Sequence, residues 1–124
     1  GNIANVSSIA SIEYAVAVLG CKYILVLGHE KCGAVDAAMA KGPAPSDNLS
    51  QLIGHILPAV NACKCKSSSS LKNVVIENAH HSASELKRCS TIIRDAVSDS
   101  GVEIHTGYYH LASGEVEFDK NSKC

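Results

Sequence analysis

The spacing of apolar positions changes several times along the chain, and each change marks an element. Ile9, Ile12, Val16 and Leu19 recur at helical spacing behind Asn5, Ser7 and Ser8, residue types that cap helix starts, and Gly20 supplies a stop. This predicts a helix of about three turns. Tyr23 to Leu27 then come with no polar interruption. A strand without alternation expects cover on both faces, as a central strand of a parallel sheet has. It runs into Gly28-His29-Glu30-Lys31-Cys32-Gly33, and Ala34 to Ala40 is rich in helix formers, so strand, tight turn and helix succeed one another. Gly42 to Asp47 reads as a loop. Leu49, Leu52, Ile53, Ile56, Leu57 and Val60 mark a further amphipathic helix, which Pro58 should kink by removing one backbone bond.

Ser67 to Ser70 reads as an exposed connector. From about Leu71, the set Val75, Ala79, Leu86, Ile93 and Val97 lines one face of a single long helix that Ser100-Gly101 ends. Val102 to Leu111 reads as a strand, Ala112-Ser113-Gly114 as a hairpin turn and Glu115 to Phe118 as an antiparallel edge strand. The expected fold class is α/β: a small, mostly parallel sheet flanked by helices, with two crossovers' worth of helix and a C-terminal antiparallel hairpin.

Composition narrows the functions this fold could carry. With 124 residues, 46% hydrophobic and 19% charged, the chain is expected to form one domain with a real core. A net charge of −1 lacks the electrostatic footprint of a nucleic-acid binder, and the absence of Trp with a single Phe argues against base-stacking platforms. No apolar run approaches a membrane span, so a soluble protein of the cytoplasm or an organelle is the expectation. The six cysteines lack the regular framework of a disulfide-stapled secreted domain.

Candidate chemistry concentrates where the first strand ends. Open α/β sheets hold ligands at the carboxyl ends of their strands, and there stand His29 and Cys32, an imidazole and a thiol of the kind zinc takes as ligands. Cys32 precedes a helix start, where the helix dipole favours negative charge. Cys21 is excluded as a partner, because a strand of this length places it about 20 Å from His29. Cys63, Cys65, Cys89 and Cys124 stay open. His80 and His81 point in different directions on a helix and read as solvated or capping residues. His55, His105 and His110 read as ordinary fold residues, Tyr108 and Tyr109 as packing, and Cys63 and Cys65 as exposed.

These residues, taken in order, resemble the β-class carbonic anhydrases. Gly1-Asn2 with Ser11-Ile-Glu-Tyr-Ala15, then Ile24-Leu-Val-Leu-Gly-His29-Glu-Lys-Cys32-Gly-Ala34, is similar to the middle of that family's sequence. His55-Ile-Leu-Pro58-Ala-Val60, Asn78 to Val97, Gly107-Tyr-Tyr-His-Leu111 and Gly114-Glu-Val-Glu-Phe118 resemble the family's later helices and its closing hairpin. The resemblance implies reversible hydration of carbon dioxide to bicarbonate at a zinc ion held by two cysteines and a histidine, with His29 and Cys32 as the His-x-x-Cys half of the site. The family's other half, a Cys-x-Asp-x-Arg motif on an earlier strand, does not occur in these residues. With it go one ligand and the Asp-Arg dyad, so no catalytic residue is assigned.

The missing motif raises two expectations. The sheet should carry an unmatched apolar edge at Tyr23 to Leu27, which a separate upstream segment or further copies of the chain would complete, giving a homo-oligomer. The chain, which opens on Gly1 and not Met, should be a single domain incomplete at its N-terminal side. Its function is either the enzyme's or, as the alternative, that of a non-catalytic, self-assembling structural or storage protein on the same scaffold with the zinc site lost. The residues leave open whether it is an enzyme.

Overall fold

A computed structural model describes residues 1–65 and 70–119, apart from the side chain of Cys65. The connector at 66–69, and with it most of the Ser67 to Ser70 stretch, lies outside the described residues, as does Cys124. The described elements are α1 (Val6–Ala17), β1 (Tyr23–His29), α2 (Gly33–Ala40), α3 (Asp47–Cys65), α4 (Leu71–Cys89), α5 (Thr91–Asp99), β2 (Glu103–Tyr109) and β3 (Val116–Phe118). The sheet order is β1-β2-β3, with β1 parallel to β2 from Tyr23↔Glu103 to His29↔Tyr109, and β3 antiparallel to β2. This is the α/β fold expected. The single parallel pair needs one crossover, through α2 to α5, and not the two that the helix content suggested.

The elements start where local chemistry directs. Asn5 caps α1 by accepting from the Ser8 N–H at 2.9 Å, and Ser70 caps α4 by accepting from the Asn73 N–H at 3.3 Å. Several expectations change. The long helix predicted from Leu71 to Val97 is two helices, parted at Ser90, whose backbone is extended (φ −127°, ψ 115°). Its hydroxyl accepts from the Ile93 N–H at 3.1 Å and donates to Glu13 Oε1 at 2.6 Å, so a side-chain cap starts α5 while a bond to α1 fixes the bend. Pro58 lies inside α3, as the sequence places it. Cys63, expected on the surface, is buried, and its thiol lies 3.7 Å from the Asn73 carbonyl.

The cover of β1 also differs from expectation. Its continuous apolar sequence predicts cover on both faces, yet burial alternates along the strand. Ile24 and Val26 face α4 in one core cluster with Ala79, Ala83, Leu86, Ile93 and Ile104. Tyr23 and Leu25 lie on the opposite face, 73% and 43% exposed. The physical reason is layering: the helices that pack on this sheet do so on one side. A second cluster joins Cys32, Val35, Ile56, Val60, Val75 and Tyr108, and it seats α2 and α3 at the carboxyl end of β1.

Candidate metal centre

The last residues of β1 are set by a close approach. A Cβ on Gly28 would stand 2.6 Å from Val75 Cγ1 and 3.2 Å from the Val75 carbonyl oxygen, so α4 packs directly on the strand backbone there. The next residue, His29, is half-buried and sits opposite Tyr109 in the parallel register. Its Nδ1 lies 2.9 Å from the Glu30 carbonyl oxygen. A carbonyl can only accept, so Nδ1 carries the proton and Nε2 keeps its lone pair for a metal.

The turn to α2 is tight. Lys31 takes the left-handed conformation at φ 54°, which costs a non-glycine residue about 1–2 kcal/mol. Glu30 holds this turn against β2: its N–H donates to the Tyr109 carbonyl at 2.8 Å, and its Oε2 accepts from the Leu111 N–H at 3.1 Å. Cys32 is the N-cap residue of α2, with an extended backbone and a carbonyl that accepts from the Asp36 N–H at 3.0 Å. Its side chain makes no capping bond and is 1% exposed.

The first residues of the chain complete the surroundings. A Cβ on Gly1 would lie 3.6 Å from Cys32 Sγ and 3.0 Å from Ile56 Cδ1, so the absence of a side chain lets the backbone pass beside the thiol. Asn2 is held by α4: Asn78 Nδ2 donates to its backbone oxygen and its Oδ1, both at 2.9 Å, and the Ser82 hydroxyl donates to the same two atoms at 3.2 Å. Along the free side of β1 a groove of about 320 Å³ runs between Gly1–Ala4 and Ile24–Leu27. A cavity of about 500 Å³ lies elsewhere, between α4 and β2–β3 around Thr106, away from His29 and Cys32.

One turn therefore carries both sequence-predicted ligands, and the donor chemistry suits zinc. The number does not complete a site, because three protein ligands are the minimum of a usual zinc centre. Among the described residues no group of three His, Cys, Asp or Glu side chains is placed to hold a metal ion. Cys21 and Cys89 are exposed, and Cys63 is turned toward Asn73. Three of the remaining histidines meet carboxylates. His80 pairs with Asp119 at 2.6 Å, His105 with Glu103 at 2.7 Å and His110 with Glu117 at 3.2 Å, while His55 is exposed. His80 thus lies inside α4 against Asp119 and is not a cap. Tyr108 is buried as expected, and burial, with the Glu30 carboxylate adding to it, pushes its hydroxyl pKa up.

The carbonic anhydrase family model matches residues 1–116. The chain belongs to the β-carbonic anhydrase family. Among curated carbonic anhydrases, that of Mycolicibacterium smegmatis is 31% identical over 120 residues, covering 94% of this chain and 58% of its own length. The β-carbonic anhydrase CafA of Aspergillus fumigatus superposes with a TM-score of 0.74 at 26% identity, over 94% of this chain and 57% of that one. One of two tetrameric β-carbonic anhydrases from Sordaria macrospora shares the fold at a TM-score of 0.74 and 22% identity, over 99% of this chain and 63% of its own. The chain thus spans less than two thirds of the length of the relatives it matches.

Sequence reading missed Glu30, Gly1 and Asn2 as neighbours of the two donors. Glu30 meets Leu111, 81 positions away, and Asn2 meets Asn78, 76 positions away, so no local spacing signals either contact. Among the described residues no helix is long and apolar enough to cross a membrane.

Proposed function

We propose that this chain is the downstream part of a β-carbonic anhydrase domain that hydrates carbon dioxide reversibly to bicarbonate, with His29 Nε2 and Cys32 Sγ as two of three protein ligands to zinc. The observation that carries this reading is the pairing of a buried Cys32 thiol with a His29 ring whose Nδ1 is already satisfied, on one turn at the end of β1. Zinc held by these residues would supply Lewis-acid activation of water near neutral pH. This chain's own residues orient the imidazole through Glu30, keep the thiol out of bulk water, and bring Gly1 against it. The third ligand and the groups that orient the reacting water come from outside the described residues, on a strand laid along the free edge of β1, from a further segment or from another copy of the chain. The apolar residues of that edge and the groove beside it support this placement.

The absence of a third ligand among the described residues favours a second reading, a self-assembling structural or storage protein on the same scaffold. Metal analysis and stopped-flow hydration separate the two. The enzyme reading expects one zinc per chain and hydration above the buffer rate, with His29→Ala losing both. No zinc and hydration equal to buffer, in a purified protein whose intact mass shows no upstream segment, would overturn it in favour of the scaffold.

A further inference from the structure

We propose that Glu30 is the positioning residue of the His29 imidazole, an assignment that deepens the zinc reading and rests on it for its metal-binding consequence. Glu30 is held on both sides of its own Cα. On one side its N–H donates to the Tyr109 carbonyl at 2.8 Å. On the other, its carboxylate accepts from the Leu111 N–H at 3.1 Å, a charge-assisted bond to the chain leaving β2. Both bonds tie Glu30 to β2, and the Glu30 carbonyl is the acceptor 2.9 Å from His29 Nδ1. The turn has no spare freedom to keep this arrangement unaided, because Lys31 sits in the left-handed region at φ 54° and Lys31 itself is exposed.

The carboxylate thus acts on the imidazole through the backbone. Loss of the Leu111 bond frees the Glu30–Lys31 peptide to rotate, and the His29 ring loses the acceptor that selects its Nδ1–H tautomer. A ligand's outer partners of this kind typically change metal affinity ten- to hundredfold. Gln at this position keeps an oxygen that accepts from Leu111 N–H, whereas Ala keeps none and Asp is one methylene too short to reach.

The test uses the full chain, with Glu30→Ala, Glu30→Asp and Glu30→Gln compared with the parent. Imidazole nitrogen NMR of the metal-free protein, with the ring neutral, reads the tautomer; competition with a chelator reads zinc affinity; thermal unfolding reads integrity. The parent is expected to show the Nδ1–H tautomer. Glu30→Ala is expected to show a mixture and to bind zinc about ten- to hundredfold more weakly, with Glu30→Gln returning close to the parent in both. Should Glu30→Ala not fold, Glu30→Asp takes its place with the same expectation. A parent-like tautomer and zinc affinity in Glu30→Ala and Glu30→Asp would overturn the assignment, as would Glu30→Gln as impaired as Glu30→Ala. A parent that binds no zinc, yet loses its tautomer in Glu30→Ala, would sink the zinc reading while upholding the positioning role.

Discussion

Gly28 shows how one residue governs the site. It is the position where α4 meets the backbone of β1, immediately before His29, and a methyl there meets Val75 Cγ1 at 2.6 Å. Because Val75 is 2% exposed in a packed core, the helix has little room to retreat. Gly28→Ala is therefore expected to destabilise the protein by about 1–3 kcal/mol, measured by urea unfolding. Gly33→Ala serves as control, since a Cβ at Gly33 meets nothing within 4 Å, and should stay within about 0.5 kcal/mol of the parent. Sequence alone singled out His29 and Cys32 as candidate donors, since zinc chemistry restricts the residue types and the turn brings them close in the chain. It could not identify Glu30, whose partners belong to the other strand.

Among the elements, the β2–β3 hairpin is the piece whose attachment depends on charge. Lys72 on α4 bonds Glu117 on β3 at 2.9 Å and lies 5.0 Å from the centre of the Tyr108 ring; His110 reaches the same carboxylate, and His80 pairs with Asp119 just beyond. The Lys72 ammonium, with His110 assisting, holds the Glu117 carboxyl below the usual carboxylate range. A depressed folded pKa means that the unfolded chain takes the proton more readily. The contribution is therefore present above the ordinary carboxylate pKa and is lost as pH falls, from about pH 5 downward. Glu85, held low by Arg88, loses its contribution in the same direction. Glu117→Gln should accordingly flatten, without abolishing, the fall of Tm between about pH 5 and pH 3; an unchanged slope in a pH series of melting curves would contradict this. At this scale the sequence located every element, but it merged α4 with α5, because the apolar stripe runs through Ser90 and the bond that bends the chain comes from Glu13 on α1.

For the whole molecule, the open side of β1 is the feature with the largest consequence. Among the described residues β1 has a neighbour on one edge, and the face opposite α4 shows Tyr23 and Leu25 to solvent. Such an edge is a template for pairing with another strand, and natural sheets protect edges of this kind with charge. If copies of the chain complete one another, as proposed, static light scattering at micromolar concentration should give a mass above that of one 13.0 kDa chain. Leu25→Lys, which places a charge on that strand, should lower the measured mass toward the monomer while leaving circular dichroism unchanged. A monodisperse monomer of the parent would remove the self-completion proposal.

The sequence by itself determined the order of the elements, the hairpin and the family, and it proposed the two donor residues, because each rests on spacing within a few positions or on a motif carried in order. Tertiary structure alone decided which face of β1 is covered, that Cys63 is buried and turned toward Asn73, that Glu30 fixes the His29 ring, and that Gly1 lies against Cys32. Those outcomes depend on layers and on contacts between residues far apart in the chain. An apolar run states that a strand can be buried, whereas only the packed elements decide on which side it is.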